Sequence, residues 1–197
     1  MADVSVRPAR TTDTAEIARI QLGTWAIAYS SLLPAEVLAT LSPEQAQARW
    51  TEALTAPPSE RHHLLVACER ERVVGFVAFG PADPTDTVDT ADAAGAFADE
   101  PEPPAPEGVG VIFTLLVEPR WGRRGHGSRL LAAAVDHLRV DDIRYAVAWV
   151  PESDTASISL YESAGWERDG YARTLDAEGH QIREIRLHAR IDEPPES

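Results

Sequence analysis

Apolar positions along this chain recur with two periods, and the places where the period changes mark its elements. Val4-Ser5-Val6-Arg7 alternates like a short strand that Pro8 ends. Asp13-Thr14-Ala15-Glu16 then reads as a capping-box-like helix start, with Ile17, Ile20, Leu22 and Trp25 on one side. Further helix starts fall at Pro34 and at Ser42-Pro43-Glu44-Gln45. The second predicts a helix to about Leu54, with Trp50 inward and Pro57-Pro58 as its break. Leu64–Cys68 and Val73–Gly80 predict an antiparallel hairpin across Glu69-Arg70-Glu71-Arg72.

The strongest pattern runs from 111 to 139. Residues Val111–Val117 form a continuous apolar run, which predicts a strand buried on both faces, stopped near Pro119. After a loop containing Gly122, Gly125 and Gly127, Leu130, Leu131, Ala134, Val135 and Leu138 recur at helical spacing. Tyr145–Val150 predicts a second buried strand. Strand, helix and strand make a βαβ unit, so the two strands are expected to be parallel with a right-handed crossover. A helix over about Thr155–Ser163, stopped by Gly165, leads into a last strand pair at 166–171 and 181–188 around Asp176–Gly179.

Composition narrows this picture. A chain of 197 residues suits one domain, expected over 1–190 with a frayed tail at 191–197. Residues 82–107 are different in kind: acidic, without arginine, and rich in Pro, Ala and Thr. They predict a disordered insertion. The net charge of −14 opposes a nucleic-acid binder or an anionic-membrane binder. Every one of the 18 Lys+Arg residues is arginine and Asn is absent, a bias that carries no chemistry. Cys68 stands alone in an apolar run, so it is expected in the core and forms neither a disulfide framework nor a cysteine zinc site. His62 and His63 are adjacent, and neighbours on a strand face opposite ways; no metal is expected. No apolar run is long enough to span a membrane and the N-terminus lacks a signal pattern, so a cytoplasmic protein is the expectation.

The candidate chemistry lies in the loop Gly122-Arg123-Arg124-Gly125-His126-Gly127-Ser128. Glycines let backbone N–H groups approach a ligand, and the first turn of the following helix offers unpaired N–H groups at its positive end. Arg123 and Arg124 add cations, so the stretch reads as a phosphate or pyrophosphate cradle. An ordinary surface turn is the plainer alternative. The loop lacks the Gly-Lys-Ser/Thr of a P-loop and the Gly-x-Gly-x-x-Gly spacing of a dinucleotide fold.

Val117-Glu118-Pro119 followed by Arg123-Arg124-Gly125-His126-Gly127 resembles the acetyl-CoA loop of the GNAT acetyltransferase superfamily. Gly122 departs from it, standing where Arg or Gln is usual. Asp154-x-x-Ser157-x-x-Leu160-Tyr161-x-x-x-Gly165-Trp166 resembles that family's second signature, with Asp154 in place of Asn and Ser157 in place of Ala. The resemblance spans about residues 4–188 without the insertion. It implies a mixed, mostly antiparallel α/β sheet with a splayed parallel pair at about 111–117 and 145–150.

It also implies acetyl-CoA as co-substrate and no metal. The pantetheine arm would pair with Leu115, Leu116 and Val117, and the phosphates would lie on 122–128. Asp154 and Ser157 would lie beside the cofactor, and Tyr161 would be the general acid toward the CoA sulfur. Tyr161 as a core tyrosine with a polar tip, and Asp154 as a helix cap, are the structural alternatives. Val111 occupies the family's usual Glu position, so the base is open among Glu107, Glu118, Asp154 and a water relay. The implied activity is acetyl transfer to an amine of a small molecule or peptide, with a homodimer allowed. A catalytically silent acyl-CoA-binding regulatory module is the competing reading.

Overall fold

The computed structural model describes residues 4–28, 42–82, 108–177 and 180–192. Its strands are β1 (Val4–Pro8), β2 (His63–Glu69), β3 (Arg72–Pro81), β4 (Val109–Val117), β5 (Tyr145–Pro151), β6 (Glu167–Ala177) and β7 (His180–Arg190). Its longer helices are α1 (Thr14–Ala28), α2 (Pro43–Thr55), α3 (His126–Val140) and α4 (Thr155–Ser163). The strands follow the order β1-β2-β3-β4-β5-β7-β6 in a seven-stranded sheet. β4 and β5 are the parallel pair, whereas β1–β2, β2–β3, β5–β7 and β6–β7 are antiparallel. This is the mixed α/β architecture of the GNAT fold. The helix start expected at Pro34 and the acidic stretch 83–107 lie outside the described residues.

The chain gathers into two compact units. The first comprises Met1–Phe79 and Phe113–Ala134. Alternate residues of β2, Leu64, Val66 and Cys68, and Val73 and Phe76 of β3 share one core with Ile17 and Ile20 of α1. Trp50, Leu54 and Leu116 close its margin. The Trp50 ring stands edge-on to Phe76 at 5.1 Å, and its Nε1–H donates to Gln21 Oε1 at 2.8 Å. Ser42 caps α2 by accepting from the Gln45 N–H at 3.3 Å, with Pro43 opening the helix as its spacing implied.

The expected cap of α1 is different. Asp13 lies in a short 3-10 turn, Thr11–Asp13, and its carboxylate turns back to the Arg10 N–H at 2.7 Å. The same carboxylate takes the Arg7 guanidinium in two bonds of 2.7 and 3.0 Å. The helix itself begins at Thr14, directly after Asp13, where the capping-box-like start placed it.

The second unit comprises Gly80–Ile112 and Val135–Ser197. β4 pairs with β5 from Val109↔Tyr145 to Ile112↔Ala148, and β5 pairs with β7 along its whole length. Ala146, Ala148 and Val150 of β5, Leu187 of β7, and Ile158, Tyr161 and Trp166 are buried. At Gly110 a β-carbon would stand 2.9 Å from Leu138 Cδ2, so the absent side chain lets α3 lie close on the strand.

Neither β4 nor β5 is buried on both faces, as their apolar runs led us to expect. β5 alternates, with Tyr145 44% exposed. In β4, Ile112 is buried but Phe113 is 45% exposed, and Thr114–Val117 are half-buried. Phe113 is covered on one ring face by His62, stacked at 5.9 Å. An apolar run reports affinity for the interior, and a layer on one side satisfies part of it. Among the described residues no helix is long and apolar enough to cross a membrane.

Candidate active site

In the first unit, the end of β4 builds the loop. Glu118 N–H donates to Val74 O at 2.9 Å, which fixes the strand end against β3. Pro119–Trp121 then makes one 3-10 turn. Arg123 and Gly125 take left-handed backbone conformations, with φ of 59° and 77°. For Arg123 this conformation costs about 1 kcal/mol. The chain is thereby swung into α3 at His126, a turn or so earlier in the loop than the apolar spacing indicated.

Arg129 N–H reaches Gly125 O at 3.1 Å and closes the first helical bond. The six N–H groups from Arg123 to Ser128 find no acceptor among the described residues. They ring the positive end of a 15-residue helix. The Arg124 guanidinium lies 4.7 Å over the Trp121 ring, and Arg129 Nη1 donates to Arg124 O at 3.0 Å. Arg123, Arg124 and Arg129 are all solvent-exposed. Donors without acceptors beside exposed cations are groups that can take up an anion such as a pyrophosphate.

Leu115, Leu116 and Val117 are half-buried on the strand leading into this loop. Glu118 is a poor base. Burial disfavours its charged form, but Arg19 at 3.0 Å and Arg120 at 2.7 Å outweigh that, and its carboxyl stays below the usual range.

The second unit holds the other signature. Asp154 is the N-cap of α4; its carboxylate accepts from Ser157 N–H at 3.0 Å and from the Ser157 hydroxyl at 2.6 Å. Both carboxylate oxygens are therefore engaged by Ser157. Tyr161 projects from the same helix into a buried position, 4.9 Å from the Trp166 ring. Burial first, and the negative charge of Asp154 second, push its phenol far above the ordinary tyrosine range. Tyr161 is thus a protonated hydroxyl that donates to none of the described residues. Gly165 ends the helix at φ 82° and leads directly to buried Trp166. Val111 pairs in parallel with Val147 and offers no base. Glu107 lies outside the described residues.

Two participants escaped the sequence reading. Glu69 counted there as part of a polar hairpin turn, and Trp121 was given no role. The acid is the last residue of β2, and its carboxylate reaches both Arg124 and His126. An acid at a strand end has no periodic signal that separates it from turn residues. Among the described residues no three His, Cys, Asp or Glu side chains group closely enough to hold a metal.

These geometries agree with what the chain resembles as a whole. The model of the acetyltransferase (GNAT) family matches residues 25–166. A mycothiol acetyltransferase of Geodermatophilus obscurus is 35% identical over 63 residues, covering 32% of this chain and only 20% of that protein. The chain therefore spans about a fifth of the length of that curated relative. The uncharacterised N-acetyltransferase YuaI of Bacillus subtilis is 25% identical over 185 residues, or 93% of this chain and 91% of YuaI. Among solved structures, yncA of Salmonella typhimurium, determined with acetyl-CoA, superposes with a TM-score of 0.67 at 20% identity, covering 100% of this chain and 98% of that one. The chain belongs to the GNAT acetyltransferase family.

Proposed function

We propose that the protein transfers an acetyl group from acetyl-CoA directly to a primary amine of a small molecule or peptide. The observation that carries this reading is the row of unaccepted N–H groups from Arg123 to Ser128 at the start of α3. A pyrophosphate satisfies such a row, and the exposed arginines add charge. Acetyl-CoA supplies the activated acyl group. Leu115–Val117 offer backbone for the pantetheine arm in the manner of strand addition.

Tyr161 acts on the leaving sulfur. Its raised pKa keeps the proton on the phenol at neutral pH, so the hydroxyl is always present as a donor. A thiolate is a weaker base than such a phenolate, since free thiols titrate near ~8.5. Tyr161 therefore stabilises the departing thiolate mainly by donating a hydrogen bond. Arg19 and Arg120 hold the Glu118 carboxyl below its usual range through Oε1, and both Asp154 oxygens are bonded to Ser157, so we infer an oriented amine that loses its proton through water. The only cysteine, Cys68, is buried in the first core with its thiol pushed up by burial. That supports direct transfer over a cysteine-bound acyl intermediate.

Acetyl-CoA offered with a panel of primary amines tests the reading. One acetylated amine should appear for each CoA released. Tight CoA binding with every amine unmodified would overturn it in favour of a silent binding module.

A further inference from the structure

His126 is an unusual tenant of the loop. It is the first residue of α3, yet its side chain is fully buried. Its Nε2 lies 3.2 Å from Glu69 Oε2, and its Nδ1 is buried with no partner. The other Glu69 oxygen, Oε1, lies 3.5 Å from Arg124 Nη1. One carboxylate thus reaches the two residues that flank Gly125.

Glu69 itself is well fixed. It closes β2, with its Cα registered against Val4 of β1 and Arg72 of β3. Trp121 completes the arrangement: its ring stands edge-on to His126 at 6.4 Å and under the Arg124 guanidinium. Trp121 Nε1 is also buried without a partner. A donor (Trp121 Nε1–H) and an acceptor (His126 Nδ1) are therefore left over on neighbouring rings. That pairing suits the tautomer in which Nε2–H donates to Glu69.

We propose that Glu69 is a positioning residue for the acyl-CoA phosphates, holding the loop in its anion-accepting shape through His126 and Arg124. This rests on the loop being the CoA site. The two roles open to Glu69 act with opposite sign. As a bare charge, Glu69 would repel a pyrophosphate and should weaken its binding. As a hydrogen-bond acceptor it keeps the His126 ring, and with it the first turn of α3, from shifting. The geometry favours the second role, because the carboxylate is already engaged on the sheet side of the loop by His126 and Arg124. Substitutions that separate charge from acceptor therefore separate the two roles. The effect of Glu69 belongs to the phosphates and not to the thioester end.

The test measures equilibrium binding of CoA, and of pantetheine as the phosphate-free probe, to the wild type, Glu69→Ala and Glu69→Gln. Glu69→Ala removes charge and acceptor together. It should weaken CoA binding at least ~tenfold, which corresponds to ~1.4 kcal/mol, while leaving pantetheine binding unchanged. Glu69→Gln keeps a carbonyl acceptor for His126 and should restore CoA binding to near the wild-type value. Equal or tighter CoA binding by Glu69→Ala would overturn the proposal, as would parallel losses for CoA and pantetheine. A wild type that binds no CoA would instead remove the reading of the loop on which the proposal stands. His126→Phe, which fills the same space without either nitrogen, gives a second approach should Glu69→Ala fail to fold. It should lose CoA affinity and retain pantetheine affinity, and an unchanged CoA affinity would contradict the role of the couple.

Discussion

Gly75 of β3 faces the carbonyl oxygen of Leu116 on β4 so closely that a β-carbon there would stand 2.7 Å from that oxygen. Val117 Cα would lie only 3.2 Å away. The obstacle is backbone, which cannot rotate aside as a side chain can. The strand segment proposed to pair with the pantetheine arm is thus set in place by a missing side chain on its neighbour. Gly75→Ala should push 116–117 outward at a cost of about 1–3 kcal/mol, typical of overpacking. A thermal melt should show the loss, and the KM for acetyl-CoA should rise with it. An unchanged melting temperature and KM would show that β4 yields freely at this point.

Tyr161→Phe keeps the buried ring against Trp166 and deletes only the hydroxyl. A donor used in the transition state shows in kcat, and such groups typically contribute ~100-fold or more. We expect kcat to fall by about that factor, with a smaller change in acetyl-CoA KM. Steady-state kinetics under conditions where chemistry limits the rate will decide. Near-normal kcat would make Tyr161 a packing residue.

Gly125→Val meets a different difficulty from Gly75→Ala. Its φ of 77° is a conformation that valine resists, and its β-carbon would meet the Arg129 guanidinium at 3.0 Å. The side chain of Arg129 can move, so the strain is chiefly in the backbone. Reshaping the loop should weaken CoA binding at least ~tenfold, or ~1.4 kcal/mol, in a protein that still melts cooperatively. Calorimetric titration with CoA measures it.

The Arg7–Asp13 pair gives stability a defined acid dependence. The bond from Arg7 is the largest cause holding the Asp13 carboxyl below its usual range; burial opposes it, and the Arg10 N–H assists. A depressed folded-state pKa means that the stabilisation is present above the unfolded value, about 3.9. It is lost as pH falls through the lower folded-state value. Asp13→Asn should therefore melt a few degrees below wild type at pH 7, and the gap should close in strong acid. A gap that persists unchanged at low pH would show that the carboxylate's charge contributes nothing.

Much of this was legible in the chain. Arg123-Arg124-Gly125-His126-Gly127 and Tyr161-x-x-x-Gly165-Trp166 could be read because each depends on local backbone geometry, which glycine spacing reports directly. The parallel pair was legible because the order strand, helix, strand leaves few other arrangements. Asp13 marked the helix start, but its carboxylate turns back to the Arg10 N–H and to Arg7, six residues upstream, a partner the capping pattern does not include. Phe113 was read as buried because an apolar run does not report how many layers the fold supplies; it stays 45% exposed with one ring face against His62. The Glu69–His126 contact joins residues 57 positions apart, with no motif linking them. Long-range polar contacts of this kind leave no period in a single sequence.

The most direct measurement of the central claim follows a labelled acetyl group from acetyl-CoA through one turnover with a primary amine. The account predicts that the label passes to the amine with an equal amount of CoA freed, and that none is found on the protein at any time. Label trapped on the protein would contradict direct transfer, and label that stays on CoA with every amine would contradict the activity itself.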